Sequence, residues 1–229
     1  LVRNQTKAIE NGLRVGIGTP AENDLLLQAL GLASAPAARR KAALKRDTNE
    51  TSIYVAVNLD DPQSDGLDTG VGFFDHMLDQ LTKHSGIGMT IKTAGDTHID
   101  THHTVEDTMI ALGAVLDQAV GDKKGILRYG HFDLVMDEAR AVCSLDLSGR
   151  AYVVFDGDFS TENLGGLQTQ MIKHCVVSLA EKLRATIHVT VTGDNDHHKC
   201  EAVFKALAKA LKMAVKREGS ELMSTKGLL

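Results

Sequence analysis

Gly95-Asp96-Thr97-His98-Ile99-Asp100-Thr101-His102-His103-Thr104-Val105-Glu106 and Gly193-Asp194-Asn195-Asp196-His197-His198-Lys199-Cys200-Glu201 decide the fold, because they are one pattern written twice. Each follows a run that alternates apolar and polar residues, Gly88–Ala94 or Thr186–Thr192, the signature of a half-buried strand. Each leads into a helically spaced run, Thr104–Val120 or Lys199–Lys216. His76 and His174 lie 98 positions apart, as do Gly95 and Gly193, and Asp96 and Asp194. His102/His197, His103/His198 and Glu106/Glu201 lie 95 apart, so one three-residue length difference between Gly-Asp and His-His reconciles both spacings. Chance resemblance of two stretches does not keep polar residues in register; an internal duplication does.

Working outward, Ser52–Leu59 and Ala139–Leu147 both alternate, and each is followed by a turn and a further extended segment. Asp75–His84, with Asp75 as a capping-type start, and Thr169–Arg184 carry apolar residues at helical spacing. The order β-β-α-β-α therefore occurs twice, predicting an α+β fold with half-domains at 46–137 and 138–229. Residues 1–45 read as an N-terminal remnant and linker, with Pro36 inside the Ala33–Arg40 stretch.

The 229 residues hold 30 Asp+Glu, 25 Lys+Arg, ten His and three Cys, with 43% hydrophobic residues and a formal charge of −5. These are globular values, so disorder is excluded. A mildly acidic chain lacks the basic stripe expected of a nucleic-acid partner. No apolar run approaches the ~18–20 residues of a membrane span. Cys143, Cys175 and Cys200 form no C-x-x-C pair, which argues against a thiolate zinc site or a disulfide scaffold and fits a reducing compartment. The chain begins at Leu1, so a missing targeting peptide is uninformative; a cytoplasmic location is expected, with a plastid left open.

Helical residues three and four apart share a face, whereas neighbours diverge by roughly 100°. Glu106 can thus join either His102 or His103 at one cation, but both histidines cannot easily serve the same one. Adjacent histidines pointing apart suggest two ions, each taking one His from each half. His76 and His174 are the completing ligands held in register. Six His (His76, His102, His103, His174, His197, His198) and two Glu (Glu106, Glu201) then give three His and one Glu per ion. Imidazole and carboxylate without thiolate favour a borderline divalent ion; octahedral Mn²⁺ would keep two open positions, where tetrahedral Zn²⁺ would be closed. Asp100 is placed to orient a ligand histidine. His84, His98, His131 and His188 receive no ligand role. A second group, Arg128, Arg150, Lys205 and the Ser224-Thr225-Lys226-Gly227 tail, offers cations and backbone amides to a phosphate.

From Arg46 onward the chain resembles imidazoleglycerol-phosphate dehydratase, the enzyme of histidine biosynthesis that converts imidazole glycerol phosphate to imidazole acetol phosphate. The resemblance rests on Arg46–Thr51, Gly72–Leu78, His98–Asp107, Asp196–Ala206 and Ser224–Gly227. It implies duplicated half-domains with two four-stranded sheets, and two Mn²⁺ per subunit on the eight residues named above. It also implies a homo-oligomer, a 24-mer shell built from trimers, with active sites between subunits. Substrate contacts carry over to Glu50, Gln80, Arg128, Arg150, Lys205, Ser224 and Lys226, with the last five near the phosphate or glycerol. The proton lost from the glycerol carbon is not α to a carbonyl, so the imidazole must be activated; Glu50, or His103 released from metal, is the acid/base. A metal-storage shell and a zinc hydrolase are the alternatives, and the phosphate-binding cations count against the first.

Leu1–Gln5 and Gly12–Asp24 resemble instead the C-terminus of histidinol-phosphate aminotransferase, predicting a chain cut from a fusion. No pyridoxal-phosphate lysine accompanies them, so no transaminase activity is expected.

Overall fold

The computed structural model describes residues 40–228, together with 2–4, 13–15, 22, 26, 27 and 29–31. It divides into two compact units, Leu1–Arg39 and Arg40–Leu229. In the first, β1 (Val2–Asn4) pairs antiparallel with β2 (Leu13–Val15), and the Leu30 N–H donates to the Leu26 carbonyl over 3.0 Å. Apart from β1, β2 and Glu22, the segments resembling the aminotransferase lie outside the described residues.

The second unit is α+β, with two four-stranded sheets and four helices. The first sheet holds β3 (Lys41–Asp47), β4 (Thr51–Asn58), β5 (Leu67–Asp68) and β6 (Gly88–Gly95), in the order β3-β4-β6-β5. The second holds β7 (Tyr129–Met136), β8 (Ala139–Asp146), β9 (Tyr152–Asp156) and β12 (Thr186–Thr192), in the order β7-β8-β12-β9. Between β9 and β12 comes a short hairpin, β10 (Asn163–Leu164) with β11 (Leu167–Gln168). In both large sheets the edge strand before the first helix runs parallel to its neighbour and the other pairs are antiparallel. The helices are α1 (Gly72–Ser85), α2 (His102–Val120), α3 (Gln170–Leu183) and α4 (Asp196–Ala214).

Apart from the β10–β11 hairpin in the second, each half is thus β-β-β-α-β-α, one strand richer than the sequence pattern suggested. The additional strands, β3 and β7, are edge strands; β3 offers only Ala42 and Leu44 as apolar alternation, whereas β7 alternates Phe132, Leu134 and Met136. The second unit accordingly starts at Arg40 and not at residue 46, and the halves meet in the connection between α2 and β7 and not at 137/138. Asp137-Glu138 is a two-residue hairpin turn inside the second sheet, with Met136 paired to Ala139 and Asp137 at φ 49°. Asp75 does not cap α1: the N-cap is Val71, and Asp75 in the first turn accepts from the Thr69 N–H and hydroxyl at 2.9 and 2.7 Å.

Alternation puts Ile53, Val55 and Val57 of β4, and Ile187, Val189 and Val191 of β12, into the core. α2 packs on β3 and β4, and α4 on β7 and β8. The helices pair across the duplication, α2 with α3 and α1 with α4. All three cysteines are fully buried, and burial pushes the Cys143 and Cys200 thiols up to about 12 and raises Cys175 as well. At pH 8 a thiol reagent should modify the native protein roughly 10³-fold more slowly than free cysteine. Three thiols per chain should appear after denaturation; fast native labelling would contradict this core.

Candidate metal centres

The helix pairing assembles two three-residue clusters, each drawn from both halves. His102 and Glu106 on α2 meet His174 on α3, and His197 and Glu201 on α4 meet His76 on α1; within each group one ligand atom per residue lies within 4.8 Å of the others. In the first, His102 Nε2 is 3.3 Å from Glu106 Oε2 and His174 Nε2 is 3.2 Å from Glu106 Oε1. In the second, His76 Nε2 and His197 Nε2 lie 2.9 and 3.0 Å from the same Glu201 oxygen. The i, i+4 spacing of each His and Glu on its helix makes this possible. Of the two choices open to Glu106 it takes His102 and not His103.

The residues fit a divalent cation. His174 Nε2 is buried and points at Glu106 without an aligned hydrogen-bond partner, as a lone pair aimed at an ion would be. Two imidazoles and one carboxylate form a borderline donor set. Burial alone would push the Glu201 carboxyl up; hydrogen bonds from Lys205, His76 and His197 overcome it and hold it down at about 2.

His103 and His198 turn away from both clusters, so each cluster holds two histidines of this chain and not the expected three. His103 Nδ1 sits 3.0 Å from Asp96 Oδ2 and 3.8 Å from Glu50 Oε2; the Asp96 bond is the largest influence raising the histidine pKa. His198 Nδ1 sits 2.9 Å from Glu138 Oε2, whose hydrogen bond likewise raises it, while that bond and the Asn195 N–H hold the Glu138 carboxyl down at about 2. In both rings a carboxylate engages Nδ1, which assigns the proton there and the lone pair to Nε2. Asp100 does not touch a ring; its Oδ1 accepts the His102 backbone N–H at 2.8 Å.

The substrate-contact candidates separate into three places. Arg128, Arg150, Ser224 and Lys226 line one cleft of about 520 Å³, with Tyr129 and Thr225. Arg128 is already engaged there: Asp146 takes two bonds at 2.7 and 3.0 Å, and a third reaches the Met223 carbonyl, tying the tail to the sheet. Arg150 and Lys226 therefore supply the cleft's uncommitted charge. Lys205 lies elsewhere, its Nζ 2.5 Å from Glu201 Oε2. Gln80 is buried one turn from His76, Nε2 to Nδ1 at 3.5 Å, and Glu50 stands beside His103.

Sequence reasoning missed two supports of the site. Glu138 carries no motif, and Phe73, inside a quoted motif, was given no role: it packs edge-on against His197 with ring centroids 5.1 Å apart. Of the four histidines left without a role, His131 bonds Ser144 and His188 stacks near Tyr152; none of the four joins either cluster.

A family model described as imidazoleglycerol-phosphate dehydratase matches residues 69–211. The histidine biosynthesis bifunctional protein HisB of Stenotrophomonas maltophilia is 50% identical over 201 residues, covering 88% of this chain and 55% of that protein. HisB of Actinobacillus pleuropneumoniae is 50% identical over 190 residues, covering 83% and 52%. The chain thus spans about half the length of the curated relatives it matches. The crystal structure of imidazoleglycerol-phosphate dehydratase from Staphylococcus aureus superposes with a TM-score of 0.71 at 34% identity, covering 78% of this chain and 99% of that one. The Pyrococcus furiosus structure gives 0.72 at 34%, covering 81% and 100%. No helix among the described residues is long and apolar enough to cross a membrane. With the duplicated helix pairs in place, the family model matching more than half the chain, and a solved dehydratase covered almost end to end, the chain belongs to the imidazoleglycerol-phosphate dehydratase family.

Proposed function

We propose that this chain dehydrates imidazole glycerol phosphate to imidazole acetol phosphate in histidine biosynthesis, as a cytoplasmic manganese-dependent lyase with two Mn²⁺ per subunit. The observation that carries the reading is the pair of His-His-Glu clusters, each with a neighbouring histidine whose Nδ1 is held by a carboxylate. His102, Glu106 and His174 would hold one ion, and His76, His197 and Glu201 the other. His103 and His198 would each complete a cluster of a neighbouring subunit, which makes a homo-oligomer, a 24-mer built from trimers, part of the site. Bound there, the ions supply a Lewis acid that favours the anionic form of the substrate's imidazole and so labilises the adjacent hydroxyl.

The chain's own residues do the remainder. Arg150, Lys226, Ser224 and the tail's amides would grip the phosphate, with Arg128 holding the tail in place against Asp146. That anchorage fixes the glycerol carbon relative to the clusters and contributes orientation. Asp96 occupies His103 Nδ1, so the Glu50 carboxylate, 3.8 Å away, is free to take the carbon-bound proton and return it. Gln80 steadies the His76 ring through Nδ1, and Lys205 keeps Glu201 ionised.

The test is incubation with Mn²⁺ and imidazole glycerol phosphate, following the acid- or base-labile ketone product. A storage shell would take up manganese without turnover, and a zinc hydrolase would release phosphate. His103→Ala is expected to abolish turnover and to reduce bound manganese; full activity with unchanged metal content would sink the assignment.

A further inference from the structure

We propose that Glu138 is the positioning residue for His198, and that the two halves have divided between them two duties of one ancestral carboxylate position. The inference rests on the reading of His198 as a metal ligand. Glu138 is the second residue of the tight β7–β8 turn, one position before β8. Its Oε2 accepts a hydrogen bond from His198 Nδ1–H at 2.9 Å, and its Oε1 accepts the Asn195 N–H at 2.8 Å. Asn195 is the N-cap of α4, and its side-chain oxygen accepts the N–H groups of His197 and His198 at 2.9 and 3.3 Å. One carboxylate thus fixes both the ring and the backbone from which the ring projects. With the proton committed to Nδ1, the lone pair is on Nε2, the form that can bind a cation.

The first half solves the same problem with a different residue. Glu50 stands one position before β4, as Glu138 does before β8. Thr51 faces Gly95 across the sheet, and Ala139 lies against Gly193 in the same way. Glu50 and Glu138 are therefore equivalent positions, and so are Asp96 and Asp194. Yet His103 is held by Asp96 at 3.0 Å with Glu50 at 3.8 Å, whereas His198 is held by Glu138 and Asp194 is exposed. Both hairpins close through two residues, Asn49-Glu50 between Thr48 and Thr51, whose N–H and carbonyl bond at 2.8 Å, and Asp137-Glu138 between Met136 and Ala139. The length that differs is that of the loop after the Gly-Asp pair: Asp96 precedes His103 by seven positions, whereas Asp194 precedes His198 by four. Glu50 reaches His103 only at the longer 3.8 Å, whereas Glu138 has both oxygens hydrogen-bonded.

Mn²⁺ titration of the metal-free full chain, read by electron paramagnetic resonance of free Mn²⁺, tests this with three variants. Glu138→Gln keeps the size and the Asn195 bond but removes the charge facing the ring; it should weaken Mn²⁺ at one class of site by about 10–100-fold, the usual cost of losing such a partner. Glu138→Asp retains the charge and should lose less. His198→Ala should abolish the same class. Parent-like titration of His198→Ala would overturn the ligand reading itself. Loss in His198→Ala with parent-like titration of Glu138→Gln, or equal losses in Glu138→Gln and Glu138→Asp, would overturn the positioning role alone. Thermal unfolding of each metal-free variant identifies any loss due to misfolding, and Glu138→Asp against His198→Ala still decides the question if Glu138→Gln does not fold.

Discussion

Glu201→Gln should lower turnover by about 10³-fold or more and leave one class of metal site empty. Glu201 is the point where His76, His197 and Lys205 converge within 2.5–3.0 Å. The amide retains the shape but offers no charge to a cation and a poor partner to Lys205. An ion's stabilisation of developing charge contributes several kcal/mol, and each ~1.4 kcal/mol is a factor of ten. Glu106→Gln should empty the other class. Its side chain is 35% exposed against 9% for Glu201, and no lysine among the described residues pairs with it. Without metal, Glu106→Gln should therefore unfold at the parent temperature, while Glu201→Gln, which strands Lys205, should unfold below it. Manganese stoichiometry, turnover and metal-free thermal unfolding measure the three effects. A Glu201→Gln protein that binds two ions per chain and turns over normally would remove this cluster from the chemistry.

Gly130→Ala should be among the most damaging single-methyl additions in the protein. A Cβ at Gly130 would meet the Ala210 carbonyl oxygen at 1.8 Å, so β7 and α4 are in backbone contact there. Neither side can rotate away, because the obstacle is main chain. Overpacking of this kind costs about 3 kcal/mol or more, and at 2–4 °C per kcal/mol for a domain of this size the melting temperature should fall by roughly 6–12 °C. Manganese affinity should fall with it, since α4 carries His197 and Glu201. Gly72→Ala, at a helix start with nothing within 4 Å, is the matched control and should be near neutral. Equal melting temperatures for the two variants would refute the close contact.

The parts of the site that could be read from sequence are those fixed by local spacing. His102 and Glu106, or His197 and Glu201, share a face because a helix has 3.6 residues per turn, and the repeat flagged His76 and His174 as their companions. What stayed hidden depends on distances that only the assembled sheets define. Glu138 could not be paired with Glu50 while β3 and β7 went unseen, since the equivalence appears only when both hairpins are laid out. Lys205 could be read as a cation near the motif, but not its 2.5 Å contact with Glu201, which depends on the i, i+4 face that α4 presents. Arg128 showed its charge in the sequence but not its neutralisation, because Asp146 reaches it from the neighbouring strand β8, eighteen positions on.

The crossing of helices between halves carries a consequence for how such a protein can arise. Among the described residues, His102 and Glu106 have no third donor on their own half, and neither do His197 and Glu201; each borrows a histidine from the opposite repeat. A lone ancestral repeat could have built such a centre only by docking with its twin. Fusing the two genes turned that encounter, governed by concentration, into a tethered one of high effective concentration. It also left the two copies able to diverge, as the different carboxylates beside His103 and His198 display.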